Sequence, residues 1–318
     1  MAALIDKITT GYNGLMEHRD QRTTNWFLLG SPWPNLLLVA TYIFISTKGG
    51  PWFMKNREPY DIRKIMVAYN LFMVYLSSYM VYEFLFAGWL DGYTLGCQLV
   101  DYSDAPQAVR MANVSWWFYF SKVIELLDTI FFILRKKFNL VTFLHVYHHA
   151  LMPCVEWAGV SFAPGGFGTF HALLNCSVHV IMYTYYGLAA MGPHMQKYLW
   201  WKRYMTTIQI VQLCGMVIHS SQIIFTDCQY SKVFGYTILI GAFSFVPLFL
   251  NFYIQAYLSK AKKEKHERLH QNGSVEQNGK IEHQNGTVKN GSVVTNGISG
   301  KKANGKINGK KQNGKKHN

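Results

Sequence analysis

Seven long runs of apolar residues divide most of the chain, and short polar links separate them. The runs cover residues 34–54, 65–88, 112–134, 139–160, 169–190, 204–226 and 234–257. A helix needs about 20 residues to cross the hydrocarbon core of a bilayer, and each run is long enough for one crossing. The pattern therefore predicts an all-α polytopic membrane protein with seven transmembrane helices.

Lysine and arginine are distributed unevenly among the links, and this distribution predicts an orientation. The links after the first, third and fifth runs are basic, whereas the link after the second run holds three aspartates and the link after the fourth is uncharged. Cytosolic links of membrane proteins carry the excess of positive charge. We therefore expect a lumenal N-terminal segment (residues 1–33), a membrane domain (residues 34–259) and a cytosolic C-terminus.

The C-terminal segment has a different composition from the rest of the chain. Asn-Gly recurs eight times between Asn272 and Asn313, and such low-complexity sequence predicts a disordered tail over residues 260–318. Ten of the fourteen net positive charges fall in this tail, which favours an anionic membrane surface over nucleic acid as its partner. Lys315 and Lys316, near the end of the chain, resemble a dilysine signal for retrieval to the endoplasmic reticulum, with chance in a Lys-rich tail as the alternative.

Three histidines interrupt the fourth apolar run, in the sequence HVYHH. Offsets of three and four residues place His145, His148 and His149 on one face of a helix. Ionisable side chains within a bilayer are costly and are usually functional. The motif therefore indicates an intramembrane site for either catalysis or metal binding.

Polar residues in the neighbouring runs occur at a depth similar to that of the histidines. They are Lys122, Glu125 and Asp128 in the third run, Asn175, His179 and Tyr183 in the fifth, and Gln209 and Gln212 in the sixth. At 1.5 Å per residue, most of this set lies about 9–15 Å from the predicted cytosolic ends of the helices. We expect these residues to meet in one site, while structural ion pairing, interhelical hydrogen bonds and packing remain the alternatives for individual members.

A metal site is one alternative for the histidines, because membrane di-iron desaturases and hydroxylases also contain His-x-x-His-His. Those enzymes draw ligands from several such boxes, whereas His171 and His219 of this chain fall near lumenal helix ends and are interpreted as structural. Too few histidines then remain for a di-iron site, although a single zinc ion stays open. A receptor or transporter with a polar layer is a further alternative.

Four motifs together carry a resemblance to a known family. KVIELLDT, HVYHH, NCSVHVIMYTYY and TTIQIVQ, in this order and spacing, resemble the ELO family of fatty-acid elongases over residues 25–260. The resemblance implies that six of seven helices form a barrel around an acyl tunnel in the endoplasmic reticulum membrane. It also implies that long- or very-long-chain acyl-CoA condenses with malonyl-CoA to give 3-oxoacyl-CoA, CO2 and CoA.

The resemblance further implies partners and residue roles. No bound cofactor or metal is expected, the reductase and dehydratase of the elongation cycle are expected partners, and a homodimer is left open. His148 would take the acyl group as an acyl-imidazole in a ping-pong scheme, His179 would orient the thioester, and His145 and His149 would position the pair. Supporting roles would fall to Lys122, Glu125, Asp128, Asn175, Tyr183, Gln209 and Gln212.

Basic residues in the cytosolic links are candidates for binding the CoA phosphates. They are Arg135, Lys136, Lys137, Lys202 and Arg203. Arginine and lysine recognise phosphate through charge-assisted hydrogen bonds. The preference of cytosolic links for positive charge explains these residues equally well.

The five cysteines suggest two hypotheses. Cys97 and Cys228 fall in predicted lumenal links, where oxidising conditions permit a disulfide, and two free thiols are the alternative. Cys176 precedes His179 by three residues and is a rival nucleophile, with a small packing residue as the alternative.

Overall fold

A computed structural model describes residues 1–259, and every regular element in that range is helical. The helices are α1 Ala2–Glu17, α2 Pro32–Phe44, α3 Gly50–Met54, α4 Arg63–Phe84, α5 Pro106–Ile124, α6 Leu126–Leu134, α7 Phe143–Phe162, α8 Thr169–Ala190, α9 Lys202–Phe225 and α10 Lys232–Tyr253. Turns of π-helix extend α2, α4 and α10 at Ile45–Gly49, Leu85–Trp89 and Ile254–Ser259. The predicted tail (260–318), including Lys315 and Lys316, lies outside the described residues.

The predicted apolar runs are all helical, so the all-α fold class is confirmed. The third run consists of two helices, because α5 ends at Ile124 and α6 begins at Leu126, with Glu125 between them. The N-terminal segment contains α1, which the apolar pattern did not predict because residues 2–17 contain no long apolar run.

Three helical segments in the described part of the chain are long and apolar enough to cross a membrane. They are Arg63–Trp89, Lys202–Phe225 and Lys232–Ser259, and they indicate a membrane protein. The count of seven crossings is not confirmed for residues 1–259. Four of the seven runs are not among these spans: polar residues lower the mean hydropathy of the first, fourth and fifth runs, and the third run is divided at Glu125.

Contacts between helices form a closed ring around an internal cavity. Helix α4 packs against α5 and α8, α9 against α8 and α10, and α7 against α5 and α10. The cavity has a volume of about 530 Å³, and its lining residues come from α4, α6, α7, α8, α9 and α10, from Glu125 and from the links that precede α7 and α9, whereas α5 contributes none. Helix α2 contributes none of them and packs against α7.

Local sequence explains how the histidine-bearing helix α7 is held. The Thr142 hydroxyl caps its first turn by accepting a hydrogen bond from the backbone N–H of His145 at 3.3 Å. Pro153 lies inside the helix, where proline removes one backbone hydrogen bond. The side-chain amide of Asn35 in α2 donates to the Pro153 carbonyl at 3.2 Å, which ties α2 to this point of α7.

Two links at one end of the ring are joined covalently. A disulfide connects Cys97, between α4 and α5, with Cys228, between α9 and α10, and their Cα atoms are 5.4 Å apart. The structure therefore brings together the two cysteines that the sequence predicts to lie in lumenal links.

Candidate active site

A buried charge network joins α5, the break at Glu125 and α8. Lys122 Nζ donates to Glu125 Oε1 at 2.8 Å and to Asn175 Oδ1 at 2.7 Å. The same Glu125 oxygen lies 3.1 Å from His179 Nδ1. Lys122 and Glu125 are 2% and 1% exposed, and a charge buried to this degree requires a partner. Asn175, Glu125 and His179 line the cavity, so the network presents an imidazole to it.

A second carboxylate occupies the next turn of the chain after the break. Tyr183 OH donates to Asp128 Oδ2 at 2.9 Å. Asp128 lines the cavity, whereas Tyr183 is fully buried and does not. The Tyr183 ring packs edge-on against both His179 and Tyr69. Tyr183 therefore helps to fix the positions of Asp128 and His179 from behind the cavity wall.

The three histidines of HVYHH all line the cavity. The ring centroids of His145 and His149 are 4.3 Å apart, and those of His148 and His149 are 5.2 Å apart. His148 also packs edge-on against Phe245 of α10, at 5.2 Å between ring centroids. An imidazole from α7 and another from α8 thus face one largely apolar space.

A hydroxyl pair anchors His145 from outside the ring. His145 Nε2 lies 2.8 Å from the Thr129 hydroxyl, and the Thr129 hydroxyl lies 2.9 Å from Tyr42 OH. Both Thr129 and Tyr42 are buried. Helix α2 therefore reaches the histidine motif through Tyr42, although α2 does not line the cavity.

Gln209 and Gln212 of α9 line the cavity as well. The Gln209 amide lies 3.6 Å from the Met182 sulfur, and the Gln212 amide lies 3.9 Å from the Met216 sulfur. Thioether sulfur is a weak acceptor. Both amides therefore retain most of their capacity to donate to a substrate oxygen.

The five basic candidates divide into two groups. Arg135, Lys137 and Lys202 line the cavity, at the end that the distribution of charge predicts to face the cytosol. Lys136 instead donates to the Lys55 carbonyl at 3.4 Å, and Arg203 donates to Tyr253 OH at 2.7 Å; neither lines the cavity.

Geometry gives no support to the thiol and metal alternatives. Cys176 is fully buried in a hydrophobic cluster with Met73, Phe118 and other residues of α4, α5 and α8, and it does not line the cavity. Within residues 1–259, no group of three His, Cys, Asp or Glu side chains is arranged to hold a metal ion.

Tyr42, Thr129, Glu156 and His171 are four polar residues in or beside the site that are not among the sequence-based candidates. Thr129 and Tyr42 carry no sequence signal, because single hydroxyl residues are common in apolar runs. Glu156 and His171 also line the cavity, with Glu156 Oε1 3.1 Å from His171 Nε2. Glu156 is a lone carboxylate within the fourth apolar run, and this is a usable signal. The position of His171 near a predicted helix end favours a structural role, yet its ring lines the cavity.

Comparison with known proteins adds a family match to this geometry. The profile of the ELO family, described as GNS1/SUR4, matches residues 27–265. The chain is 51% identical over 248 residues to very long chain fatty acid elongase 7 of Rattus norvegicus, covering 77% of this chain and 88% of that protein. It is 44% identical over 290 residues to very long chain fatty acid elongase 7 of Drosophila melanogaster (90% and 85% covered). It is 47% identical over 272 residues to very long chain fatty acid elongase 1 of Homo sapiens (85% and 97% covered).

Proposed function

This chain belongs to the ELO family of very long chain fatty acid elongases, and we propose that it condenses long- or very-long-chain acyl-CoA with malonyl-CoA. The products are 3-oxoacyl-CoA, CO2 and CoA. The observation that carries the proposal is the placement of His148 and His179 on the wall of one cavity, with the Lys122–Glu125 pair behind His179.

The first half-reaction transfers the acyl group to His148. A ring nitrogen of neutral His148 attacks the thioester carbonyl carbon, the new C–N bond forms, and the C–S bond breaks. The CoA thiolate leaves and takes up the proton that the imidazole loses. The largely apolar wall around His148, which includes Phe245, keeps water away from the acyl-imidazole and so limits its hydrolysis.

The second half-reaction uses malonyl-CoA as the nucleophile. Loss of CO2 leaves the electron pair of the broken C–C bond on the thioester enolate, which attacks the acyl carbonyl carbon. The C–N bond to His148 then breaks and 3-oxoacyl-CoA is released. The departing imidazolate takes up one proton from solvent, which restores neutral His148. This scheme needs no bound cofactor or metal.

The buried network orients the groups that face the substrate. Asn175 Oδ1 accepts from Lys122, so its amide N–H groups are left to donate to a developing oxyanion. Gln209 offers a second donor from α9. His179 is held by Glu125, and this contact orients its ring toward the thioester.

The ends of the cavity suit the two kinds of substrate group. Arg135, Lys137 and Lys202 at one end would pair with the phosphates of CoA, while the apolar walls of the interior suit a long acyl chain. We place the protein in the endoplasmic reticulum membrane, with its N-terminus lumenal and its C-terminus cytosolic. The reductase and dehydratase of the elongation cycle would act on its product.

Condensation by purified protein tests this function directly. The protein in detergent is given acyl-CoA and labelled malonyl-CoA, and both CO2 and 3-oxoacyl-CoA are measured. We expect the two products in equal amounts, and their loss in His148→Ala. A receptor, a transporter or a metal-dependent desaturase would release no CO2 from malonyl-CoA, so a negative result with folded protein would overturn the proposal.

A further inference from the structure

The first helix, α1 (Ala2–Glu17), has one apolar face and one polar face. At about 100° per residue, five large apolar side chains fall within an arc of about 120°, namely Leu4, Ile5, Tyr12, Leu15 and Met16. The opposite arc of the same width carries polar and charged side chains, namely Asp6, Lys7, Thr10, Asn13 and Glu17. A helix divided in this way presents one face to an apolar environment and the other to water.

Only part of the apolar face packs against the rest of the chain. The Tyr12 ring lies 6.4 Å from the ring of Trp33 in α2, between centroids. Met16 packs against the hydrophobic cluster that contains Leu29 and Trp157. The other three side chains of the face are 62%, 58% and 59% exposed, in the order Leu4, Ile5 and Leu15. Within residues 1–259, more than half of each of these three side chains is thus left uncovered.

The C-terminal end of α1 is held near the level at which a membrane-spanning segment ends. Three residues after α1, the backbone N–H of Asp20 donates to the carbonyl of Ser161 at 2.9 Å, in the last turn of α7. Trp89 is the last residue of the span Arg63–Trp89, and its indole N–H donates to the Thr169 hydroxyl at 3.2 Å, at the start of α8. Because only a short link separates α7 from α8, the end of α1 lies close to the boundary of the bilayer.

The charges of α1 determine how it can meet that boundary. Asp6, Lys7 and Glu17 oppose insertion across the bilayer, because a charge in the hydrocarbon core is costly. One lysine against two carboxylates gives no excess of positive charge with which to attract anionic lipid. The Trp33 ring beside Tyr12 is 64% exposed, and exposed tryptophan is typical of the membrane–water interface. These features favour a helix that lies in the interface and buries its apolar face.

We propose that α1 is a membrane-surface anchor whose exposed apolar side chains, Leu4, Ile5 and Leu15, insert into the headgroup region of the bilayer. The helix lies on the leaflet at the end of the ring where α7 is linked to α8. The partner is zwitterionic phospholipid, because apolar burial and not charge provides the attraction. Tyr12 and Met16 hold the helix to the ring. This role does not depend on the proposed condensation, so the two can fail separately.

Fluorescence quenching in lipid nanodiscs tests the anchor on the full chain. An environment-sensitive fluorophore is attached at Leu4→Cys or, as the matched control, at Asn13→Cys, which lies about 180° away on the same helix. Both are made in Cys154→Ala/Cys214→Ala, which removes the two free cysteines that are not buried. The nanodiscs contain only phosphatidylcholine. Quenching is measured with nitroxide-labelled lipid and with iodide in the water.

We expect the two positions to respond in opposite ways. The fluorophore at residue 4 should be quenched by nitroxide lipid about fivefold more strongly than the fluorophore at residue 13, and iodide should show the reverse preference. High salt should leave the lipid quenching unchanged. Ile5→Ser/Leu15→Ser removes two anchoring side chains and should lower lipid quenching at residue 4 about threefold. Thr10→Ser/Asn13→Ser changes as many residues on the polar face and should leave it unchanged.

Three results would overturn the anchor, provided that the labelled protein has an unchanged Tm. Equal access of iodide to both positions would place the apolar face of α1 in water. A fluorophore at residue 4 that is shielded from iodide but not quenched by nitroxide lipid would mean that protein, such as a second copy of the chain, covers the face. Lipid quenching that requires anionic lipid or is lost in high salt would assign the attraction to charge.

Discussion

The Thr129 hydroxyl lies 2.8 Å from Nε2 of His145, and this contact joins α6 to the histidine motif of α7. Thr129 is fully buried, so no water replaces its hydroxyl if the side chain is changed. The hydroxyl also contacts Tyr42 OH at 2.9 Å. One atom of Thr129 thus links the outer helix α2 to an imidazole of the candidate active site.

We expect Thr129→Val to lower the rate of condensation. Valine has nearly the same shape but leaves His145 Nε2 without its partner, and a buried group left unsatisfied costs about 1–3 kcal/mol. If half of that cost is felt only in the transition state, kcat falls about two- to tenfold. The measurement is 3-oxoacyl-CoA formation at saturating substrate. Thr129→Ser restores the hydroxyl and should keep most of the activity; equal rates for the valine and serine variants would show that the contact is not used.

Removing one partner of the buried Lys122–Glu125 pair should lower stability more than removing both charges together. Lys122→Met leaves the buried Glu125 carboxylate without its nearest cation, a change that typically costs about 3–5 kcal/mol. We therefore expect a markedly lower Tm in detergent. The double variant Lys122→Met/Glu125→Gln removes the uncompensated charge and should recover part of the loss. Arg63→Met breaks the solvent-exposed Asp61–Arg63 pair and should change Tm little; a double variant less stable than Lys122→Met would contradict the expectation.

The helices and the family could be predicted from the sequence because both are encoded in the pattern of residue types along short stretches of the chain. Each apolar run became helical, and the HVYHH motif and His179 line the same cavity. The interruption at Glu125 could not be predicted, because it depends on how Lys122, Asn175 and His179 meet a single carboxylate oxygen.

Contacts between distant elements set the limit of what the sequence reveals. Thr129 acquires its role only when α2 packs beside α7 and brings Tyr42 within hydrogen-bond distance. A partner for Glu156 was easier to expect from the sequence, because a carboxylate inside an apolar run needs one. Its partner His171 was known to be in the next run, but the distance between them depends on the packing of α7 and α8.

Covalent capture should identify His148 as the acyl acceptor. Incubation with acyl-CoA in the absence of malonyl-CoA should add the mass of one acyl group to the protein, and digestion should place it on the peptide that contains His148. His148→Ala should lose this adduct. Cys176→Ala should keep both the adduct and at least half of the condensation rate, because Cys176 is fully buried away from the cavity. An adduct that disappears in Cys176→Ala and persists in His148→Ala would reverse the assignment.

The disulfide should stabilise the links at one end of the ring. Cys97 and Cys228 are 131 residues apart in sequence, and closing a loop of roughly this length removes about 4–5 kcal/mol of chain entropy from the unfolded state. We expect Cys97→Ala/Cys228→Ala to lower Tm by several degrees under non-reducing conditions. Cys214→Ala changes an exposed free cysteine and is the control. Alkylation of Cys97 in the native, unreduced protein would show that the bond is not formed.

Two neighbouring lysines provide a matched test of the proposed CoA-binding end of the cavity. Lys137 lines the cavity, whereas the adjacent Lys136 donates to the Lys55 carbonyl and does not. Both lysines carry the same charge in the same link. Replacing either one therefore weakens the general attraction of this surface for an anionic substrate by a similar amount. A direct contact with a phosphate that is partly open to solvent contributes about 1 kcal/mol, so we expect Lys137→Gln to raise KM for acyl-CoA about fivefold. Lys136→Gln should raise this KM less than twofold.

Comparing KM at low and high salt checks the assignment, because the effect of Lys137→Gln should shrink as salt screens the charge. Equal effects of the two variants would mean that only the overall positive charge of the link matters.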